Sequence, residues 1–179
     1  MSLPAALAAL HRELGISPSY GADRHLTAYT EVAEADLVQI ALSDEGRPIR
    51  LVPGAAQAWR RMSTAAAQDG IELLPVSGFR SIARQTELIR AKLEAGQPLD
   101  TILRYVAAPG FSEHHTGRAL DISSPGHTDL EEAFELTPAF QWLERHTPSF
   151  GFSLTYPRGN RNGIGYEPWH WCWHSPARG

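Results

Sequence analysis

Apolar residues recur along the chain at spacings that predict short helices and strands. A repeat every three or four residues predicts helices over residues 3–14, 55–68, 81–95, 99–106 and 138–145. Shorter apolar runs bounded by turn-forming residues predict strands over residues 37–42, 49–52, 71–76, 119–123, 152–156 and 169–173. Ser2 and Ser81 precede two of the helices, where a serine hydroxyl can cap the free backbone amides.

The order of these elements predicts the fold class. Helices and strands alternate irregularly and their connections are mostly short, which favours an α+β fold with a small antiparallel sheet flanked by helices. The length of 179 residues suits one globular domain. We therefore expect a single domain over residues 1–179, with its core at about 50–175 and residues 1–49 as an N-terminal extension that packs on it.

Composition and charge argue against several classes of protein. A net charge of −4 provides no field that would attract nucleic acid or an anionic membrane. No stretch approaches the roughly 20 apolar residues of a membrane span. The N-terminal leucines are interrupted by His11, Arg12 and Glu13, too early for a signal peptide. We therefore predict a cytoplasmic monomer without nucleic-acid or membrane partners.

The cysteine and histidine content limits the kinds of metal site that the chain can form. Cys172 is the only cysteine, which rules out an intramolecular disulfide or a thiolate zinc cluster, so any metal ligands must be histidines and carboxylates. Four of the eight histidines fall in the two short segments 112–115 and 169–174. The scattered histidines suit surface or ordinary hydrogen-bonding roles, and they are His11, His25, His127 and His146.

Two carboxylates lie near the histidine-rich segments. Asp121 follows His114 by seven positions inside an apolar run, where an unpaired charge is costly unless a cation neutralises it. Glu167 precedes His170 by three positions, among tryptophans that would exclude water. Each carboxylate also has an ordinary interpretation, as a strand-end residue facing solvent or a salt-bridged surface residue. Together, however, these four side chains match a catalytic zinc site, which has three protein ligands, an open position for water and a nearby base.

These residues belong to a longer pattern that resembles a known family. Ser112-x-His114-x-x-Gly117-x-Ala119-x-Asp121 together with Glu167-x-Trp169-His170 resembles the paired signature of the LAS metallopeptidases, named for lysostaphin, D-alanyl-D-alanine metallopeptidases and sonic hedgehog. The segment Ser77-Gly78-Phe79-Arg80-Ser81, followed by Gln85, resembles the VanY-like D-alanyl-D-alanine carboxypeptidase branch. The resemblance covers residues 70 to 175 or so and implies an LAS or hedgehog-like α+β fold for a metallopeptidase domain.

The resemblance also implies a role for each matched position. His114, Asp121 and His170 are expected to bind Zn2+, and Glu167 is expected to be the general base. Arg80 is expected to stabilise the oxyanion or bind the scissile carbonyl, which its planar charged donors suit. Residues expected to contact the substrate or form its wall are Ser77, Gln85, Ser112 and Trp169. Because histidine and carboxylate ligands accept other first-row ions, the choice of zinc depends on the resemblance.

The implied activity is release of a C-terminal D-alanine from peptidoglycan stem peptides. L,D-cleavage of tetrapeptides and D,D-cleavage of pentapeptides both remain open, and a cytoplasmic location slightly favours tetrapeptides. One alternative is a phage-type peptidoglycan endopeptidase, which shares these motifs. Another is a non-catalytic zinc-stabilised binding module, since a fold can serve recognition without catalysis. Retention of both Glu167 and Arg80 argues against a module that only binds.

Overall fold

The structure, a computed structural model, describes residues 3–175, so the predicted cap Ser2 lies outside the described residues. The α-helices of this part are α1 (Ala5–Glu13), α2 (Tyr20–Asp23), α3 (Pro53–Gln68), α4 (Ile82–Glu94), α5 (Leu99–Tyr105) and α6 (Pro138–His146). The strands are β1 (Val38–Leu42), β2 (Pro48–Leu51), β3 (Leu74–Ser77), β4 (Ala119–Ser123), β5 (Phe152–Leu154) and β6 (His170–Trp173). Short 3-10 helices span Glu34–Asp36, Glu113–Thr116, Glu132–Leu136 and Thr147–Phe150.

Local sequence signals account for where the helices begin and which face they bury. The Ser81 hydroxyl accepts a hydrogen bond of 3.0 Å from the Arg84 amide, which caps α4 as predicted. Pro53 occupies the first turn of α3, where its missing N–H costs nothing. Trp59, Met62 and Ala66 follow at helical spacing and are all buried. Helix α3 therefore presents an apolar face to the interior.

The strands form two antiparallel sheets. β1 and β2 form a hairpin, whereas the larger sheet has the order β3-β4-β6-β5. The α+β class and the antiparallel pairing are thus confirmed, although the predicted strands divide between two sheets. The larger sheet carries both the protein core and the histidine-rich segments, so it determines the position of the site.

Alternation along β4 separates the core from the polar face of the larger sheet. Leu120 and Ile122 belong to the main apolar cluster, together with Trp171 of β6 and residues of α3 and α6. Asp121 lies between them in sequence, so its side chain points to the opposite face. Helices α3 and α6 therefore cover one face of the sheet and leave the other face available for polar side chains.

The N-terminal residues form a second apolar cluster with α4 and α5. Ile16 and Tyr20 are buried there against Ile89 and Leu103. The boundary predicted at residue 50 falls inside β2. The division into a core and an extension remains a prediction.

Most element boundaries lie one to three residues from the predicted ones. The predicted strand 71–76 begins only at Leu74, because the Ile71 amide donates to the Ala66 carbonyl and completes the end of α3. The strand predicted at Trp169 begins one residue later.

Among residues 3–175, no helix combines the length and apolar character of a membrane span.

Candidate metal and active site

The register of the larger sheet brings three predicted site residues side by side. Ser77 of β3 pairs with Asp121 of β4, and Asp121 pairs with His170 of β6. Directly paired residues project their side chains from the same face of a sheet. Ser77, Asp121 and His170 therefore stand in a row across three strands, although up to 93 positions separate them in sequence.

His114 reaches the same place from the short 3-10 helix that precedes β4. This helix ends at Gly117, which has a left-handed φ of 65°. A Cβ at Gly117 would lie 2.8 Å from the Leu37 side chain, so glycine also permits close packing. The sharp turn directs the chain into β4 and places His114 beside Asp121.

His114, Asp121 and His170 form a buried group with the chemistry of a metal site. Their candidate ligand atoms all lie within 4.8 Å of one another. His114 Nε2 is 3.3 Å from Asp121 Oδ2, and His170 Nδ1 is 3.1 Å from Asp121 Oδ1. Two imidazole nitrogens and one carboxylate thus converge, as a three-ligand catalytic site requires.

In each imidazole, the ring nitrogen that does not face Asp121 makes a hydrogen bond that holds the ring. His114 Nδ1 donates to the Gly78 carbonyl at 2.6 Å, which leaves Nε2 directed at Asp121. His170 Nε2 donates to Glu113 Oε2 at 2.9 Å, which leaves Nδ1 directed at Asp121. Because such partners fix the ring orientation and tautomer, the residues present fit a divalent cation.

The charges within the group are strongly coupled. Burial would raise the pKa of Asp121, but His114 and His170 outweigh it and hold that pKa far below its ordinary value. Burial lowers the pKa of His114. Burial also acts to lower the pKa of His170, yet hydrogen bonds to Asp121 and Glu113 raise it to about 10.

Glu167 is buried at the edge of this group. Its Oε2 lies 3.9 Å from His170 Nδ1, and its amide donates to the Tyr156 carbonyl. Burial raises the pKa of Glu167 to about 7. A carboxyl group whose pKa lies near neutrality can both accept and return a proton, which suits a general base.

Arg80 also lies next to Asp121, with Arg80 Nη2 3.8 Å from Asp121 Oδ2. Its guanidinium donates to Ser77 Oγ and to Gln85 Oε1, each at 3.1 Å. Burial lowers the pKa of Arg80, but a guanidinium stays charged at any relevant pH. Ser77 and Gln85, expected to contact substrate, here hold Arg80 in place.

A cleft of about 220 Å³ opens beside the group. All the predicted site residues except Ser77 line it, and those residues are Arg80, Gln85, Ser112, His114, Asp121, Glu167, Trp169 and His170. Ser112 is buried and Trp169 is half-buried. The structure thus brings the predicted residues together, while the roles of Ser77, Gln85, Ser112 and Trp169 toward a substrate remain predictions.

Three further residues lie at the site outside the predicted set. Glu113 bonds His170, and the ring centroid of Tyr156 lies 5.0 Å from that of His170. His115 is fully buried, where its Nδ1 donates to the Arg80 carbonyl and its Nε2 accepts from the Gly110 amide. Glu113 and His115 flank His114, so adjacency to a ligand was the signal available; Tyr156 offered only its place at the end of an apolar run.

Comparison with known proteins identifies the family of this chain. The sequence profile of the family described as VanY: D-alanyl-D-alanine carboxypeptidase matches residues 48–176, well over half of the 179 residues. The chain belongs to the VanY family. The matched region contains every residue of the buried group together with Arg80 and Glu167.

Two solved structures are similar to this chain in sequence and fold. The LD-carboxypeptidase LdcB is 32% identical with a TM-score of 0.70, over 79% of this chain and 69% of that one. A glutamate-to-alanine mutant of the vancomycin-resistance D,D-pentapeptidase VanY, in complex with Zn(II), is 25% identical with a TM-score of 0.61, over 83% of this chain and 85% of that one.

A relative known from its sequence is considerably longer than this chain. YodJ of Bacillus subtilis strain 168 is 38% identical over 122 residues, which make up 65% of this chain but only 43% of YodJ. The VanY-family chain thus corresponds to less than half of that relative.

Proposed function

We propose that this VanY-family chain is a zinc carboxypeptidase that releases a C-terminal D-alanine from peptidoglycan stem peptides. The observation that carries the proposal is the buried group of His114, Asp121 and His170, which shares one cleft with Glu167 and Arg80. This combination supplies metal ligands, a base and an electrophilic partner for hydrolysis of a peptide bond.

Zinc is the metal that we propose for this site. The donor set of two imidazoles and a carboxylate suits it, and a VanY structure similar to this chain contains Zn(II). A bound zinc ion would supply Lewis-acid polarisation of the scissile carbonyl and would lower the pKa of a coordinated water. His114, Asp121 and His170 would hold it.

The remaining chemistry belongs to side chains of the cleft. Glu167 would take the proton from the attacking water and return it to the departing amine, as its raised pKa allows. Arg80, fixed by Ser77 and Gln85, would stabilise the negative charge that develops on the carbonyl oxygen. Trp169 and Tyr156 line the cleft and would limit the access of bulk water.

For the substrate we propose L,D-cleavage of tetrapeptides, with D,D-cleavage of pentapeptides as the competing specificity. The likeness to the LD-carboxypeptidase LdcB exceeds that to the D,D-pentapeptidase VanY in both sequence identity and TM-score. Because both enzymes share the fold, the difference in specificity must lie in the shape of the cleft beyond the metal group.

Defined muropeptides test the activity and the specificity together. The purified protein is incubated with tri-, tetra- and pentapeptide muropeptides, with and without chelator, and products are identified by mass spectrometry. We expect chelator-sensitive loss of one D-alanine from the tetrapeptide. Loss only from the pentapeptide would establish D,D-specificity instead. Absence of D-alanine release together with clearing of a suspension of purified cell walls would indicate an endopeptidase and overturn the proposal.

Two further expectations belong to the proposal. A monomeric state is tested by size-exclusion chromatography with light scattering, where a mass near 19.7 kDa is expected. A cytoplasmic location is tested by cell fractionation with an antibody against the protein. A dimer mass, or recovery from the wall fraction, would contradict the respective expectation.

A further inference from the structure

Glu113 is a buried acidic residue that the proposed mechanism leaves without a role. Its side chain is 10% exposed and lies on the far side of His170 from Asp121. Glu113 Oε2 accepts a hydrogen bond of 2.9 Å from His170 Nε2, while His170 Nδ1 faces Asp121. The imidazole is therefore held between two carboxylates, one on each ring nitrogen.

Other side chains fix the orientation of the Glu113 carboxylate. The Thr155 hydroxyl donates to Oε2 at 2.8 Å, and the Tyr29 hydroxyl donates to Oε1 at 3.4 Å. Both carboxylate oxygens thus have donors, so the charge is stabilised and the side chain cannot turn freely. A buried carboxylate with this many partners defines a direction for the ring that it holds.

Tyr29 belongs to the N-terminal segment, which precedes the part of the chain that matches the VanY family. The Tyr29 amide donates to the Gly110 carbonyl at 2.8 Å, and the Val32 amide donates to the His115 carbonyl at 2.9 Å. These bonds attach the segment to residues 110–115, which include Glu113 and His114. The N-terminal segment therefore contributes a hydroxyl group next to the metal group.

We propose that Glu113 is a positioning residue that holds His170 with Nδ1 directed at the metal, and that Tyr29 supports Glu113 in this role. The inference rests on the proposed function, because it assumes that the buried group binds zinc. An imidazole has two ring nitrogens, Nδ1 and Nε2, and can bind a metal through either of them. The bond from Nε2 to Glu113 removes that choice, since it leaves only Nδ1 directed at Asp121 and the cleft.

Zinc affinity separates positioning from a purely structural role. The variants Glu113→Ala, Glu113→Gln and Tyr29→Phe are compared with wild type by competition against a chromophoric chelator, counting only folded protein. Glu94→Gln is the matched control, because Glu94 is an exposed carboxylate of α4. We expect Glu113→Ala to weaken zinc binding by about 10- to 100-fold. Glu113→Gln keeps an acceptor for the His170 Nε2 proton and should fall between Glu113→Ala and wild type.

The smaller contribution of Tyr29 and the ligand geometry provide two further measurements. Loss of one hydroxyl donor in Tyr29→Phe should weaken zinc binding by about 2- to 10-fold. In cobalt-substituted protein, the visible absorption bands should change in Glu113→Ala and match wild type in Glu94→Gln, because those bands report the ligand geometry.

The outcomes distinguish this inference from the proposed function. Equal zinc affinity in wild type and Glu113→Ala would overturn the positioning role, whether or not D-alanine is released. Weaker zinc binding in Glu113→Ala with no D-alanine release by wild type would uphold the positioning role and overturn the proposed function. A wild-type protein that binds no zinc would overturn both.

Discussion

At the residue scale, the site concentrates charge in the protein interior. Asp121, Glu113 and Glu167 are all buried within contact of His170. Isolated buried charges are costly, so each must have a compensating partner. Asp121 is paired with His114 and His170, and Glu113 is paired with His170. For Glu167 the effect of burial is the largest, and it raises the pKa to about 7. Glu167 is thus the carboxylate whose proton can move in the neutral pH range.

This difference predicts that Glu167→Gln retains zinc but loses turnover. The substitution keeps the size of the side chain and removes its basicity, so kcat should fall by about 10²- to 10⁴-fold. Elemental analysis of the purified variant should still give one zinc per chain. The exposed residue Glu72 supplies the control Glu72→Gln, which should match wild type. A Glu167→Gln variant with full activity would remove Glu167 from its role.

Arg80 gives a second prediction at the same scale. Its guanidinium group donates to Ser77 and to Gln85 at the same time, and a lysine ammonium cannot reproduce that planar arrangement of donors. Arg80→Lys should therefore lower kcat by about 10²- to 10³-fold, as expected for loss of one oxyanion donor. Arg84→Lys, on the exposed face of α4, is the control. Similar kinetics for the two lysine variants would rule out a role that depends on the guanidinium shape.

The sequence was informative about residues whose chemistry depends on type and local spacing. His114, Asp121, Glu167 and His170 were predicted because two histidine-rich segments have carboxylates nearby and because the combined pattern resembles the LAS metallopeptidase signature. The partnership of Glu113 with His170 spans 57 positions and depends on the packing of loops. No local pattern indicates such a pairing, which is why the support of the ligands could not be predicted.

At the element scale, short turns decide where the ligands lie. The 3-10 helix Glu113–Thr116 must stop and reverse at Gly117 before β4 begins. Helix α2 was not predicted, because residues 16–36 show no apolar periodicity. The other α-helices and the strands were predicted to within a few residues from the spacing of their apolar residues. The strand pairing and its division into two sheets involve residues far apart in the chain, so spacing alone could not define them.

The turn predicts a stability cost for Gly117→Ala that exceeds the cost of a left-handed backbone alone. Gly70 has a similar φ of 76° but no atom within 4 Å of an added Cβ, so Gly70→Ala measures the backbone term. That term is about 1–2 kcal/mol. At Gly117 the Cβ would also approach Leu37, which adds about 1–3 kcal/mol. Urea titration gives both free energies of unfolding, and equal losses would contradict the packing argument.

At the scale of the whole molecule, the metal group joins β4, β6 and the 3-10 helix before β4. A zinc ion that binds only the folded chain should therefore stabilise the entire fold. After treatment with chelator, Tm should rise on addition of zinc, with a gain of about 1.4 kcal/mol for each tenfold increase in free zinc above Kd. Asp121→Asn should respond much less. A wild-type Tm that is independent of zinc would contradict binding at this group.

The second apolar cluster bears on whether the chain is one cooperative unit. Ile16 is 3% exposed and packs with α4 and α5, which lie within the predicted core. Ile16→Ala should lower the free energy of unfolding by about 2–5 kcal/mol.

All five tryptophans lie at position 59 or later, so tryptophan fluorescence reports unfolding only of the region beyond the N-terminal residues. If the chain unfolds as one domain, Ile16→Ala will shift the urea midpoints from fluorescence and from circular dichroism by the same amount. Leu136→Ala is the control, because Leu136 is 77% exposed, and it should shift neither midpoint. A change in circular dichroism without a change in fluorescence would instead mean that the N-terminal residues unfold separately, and that the Tyr29 hydroxyl can leave Glu113 while the metal group stays folded.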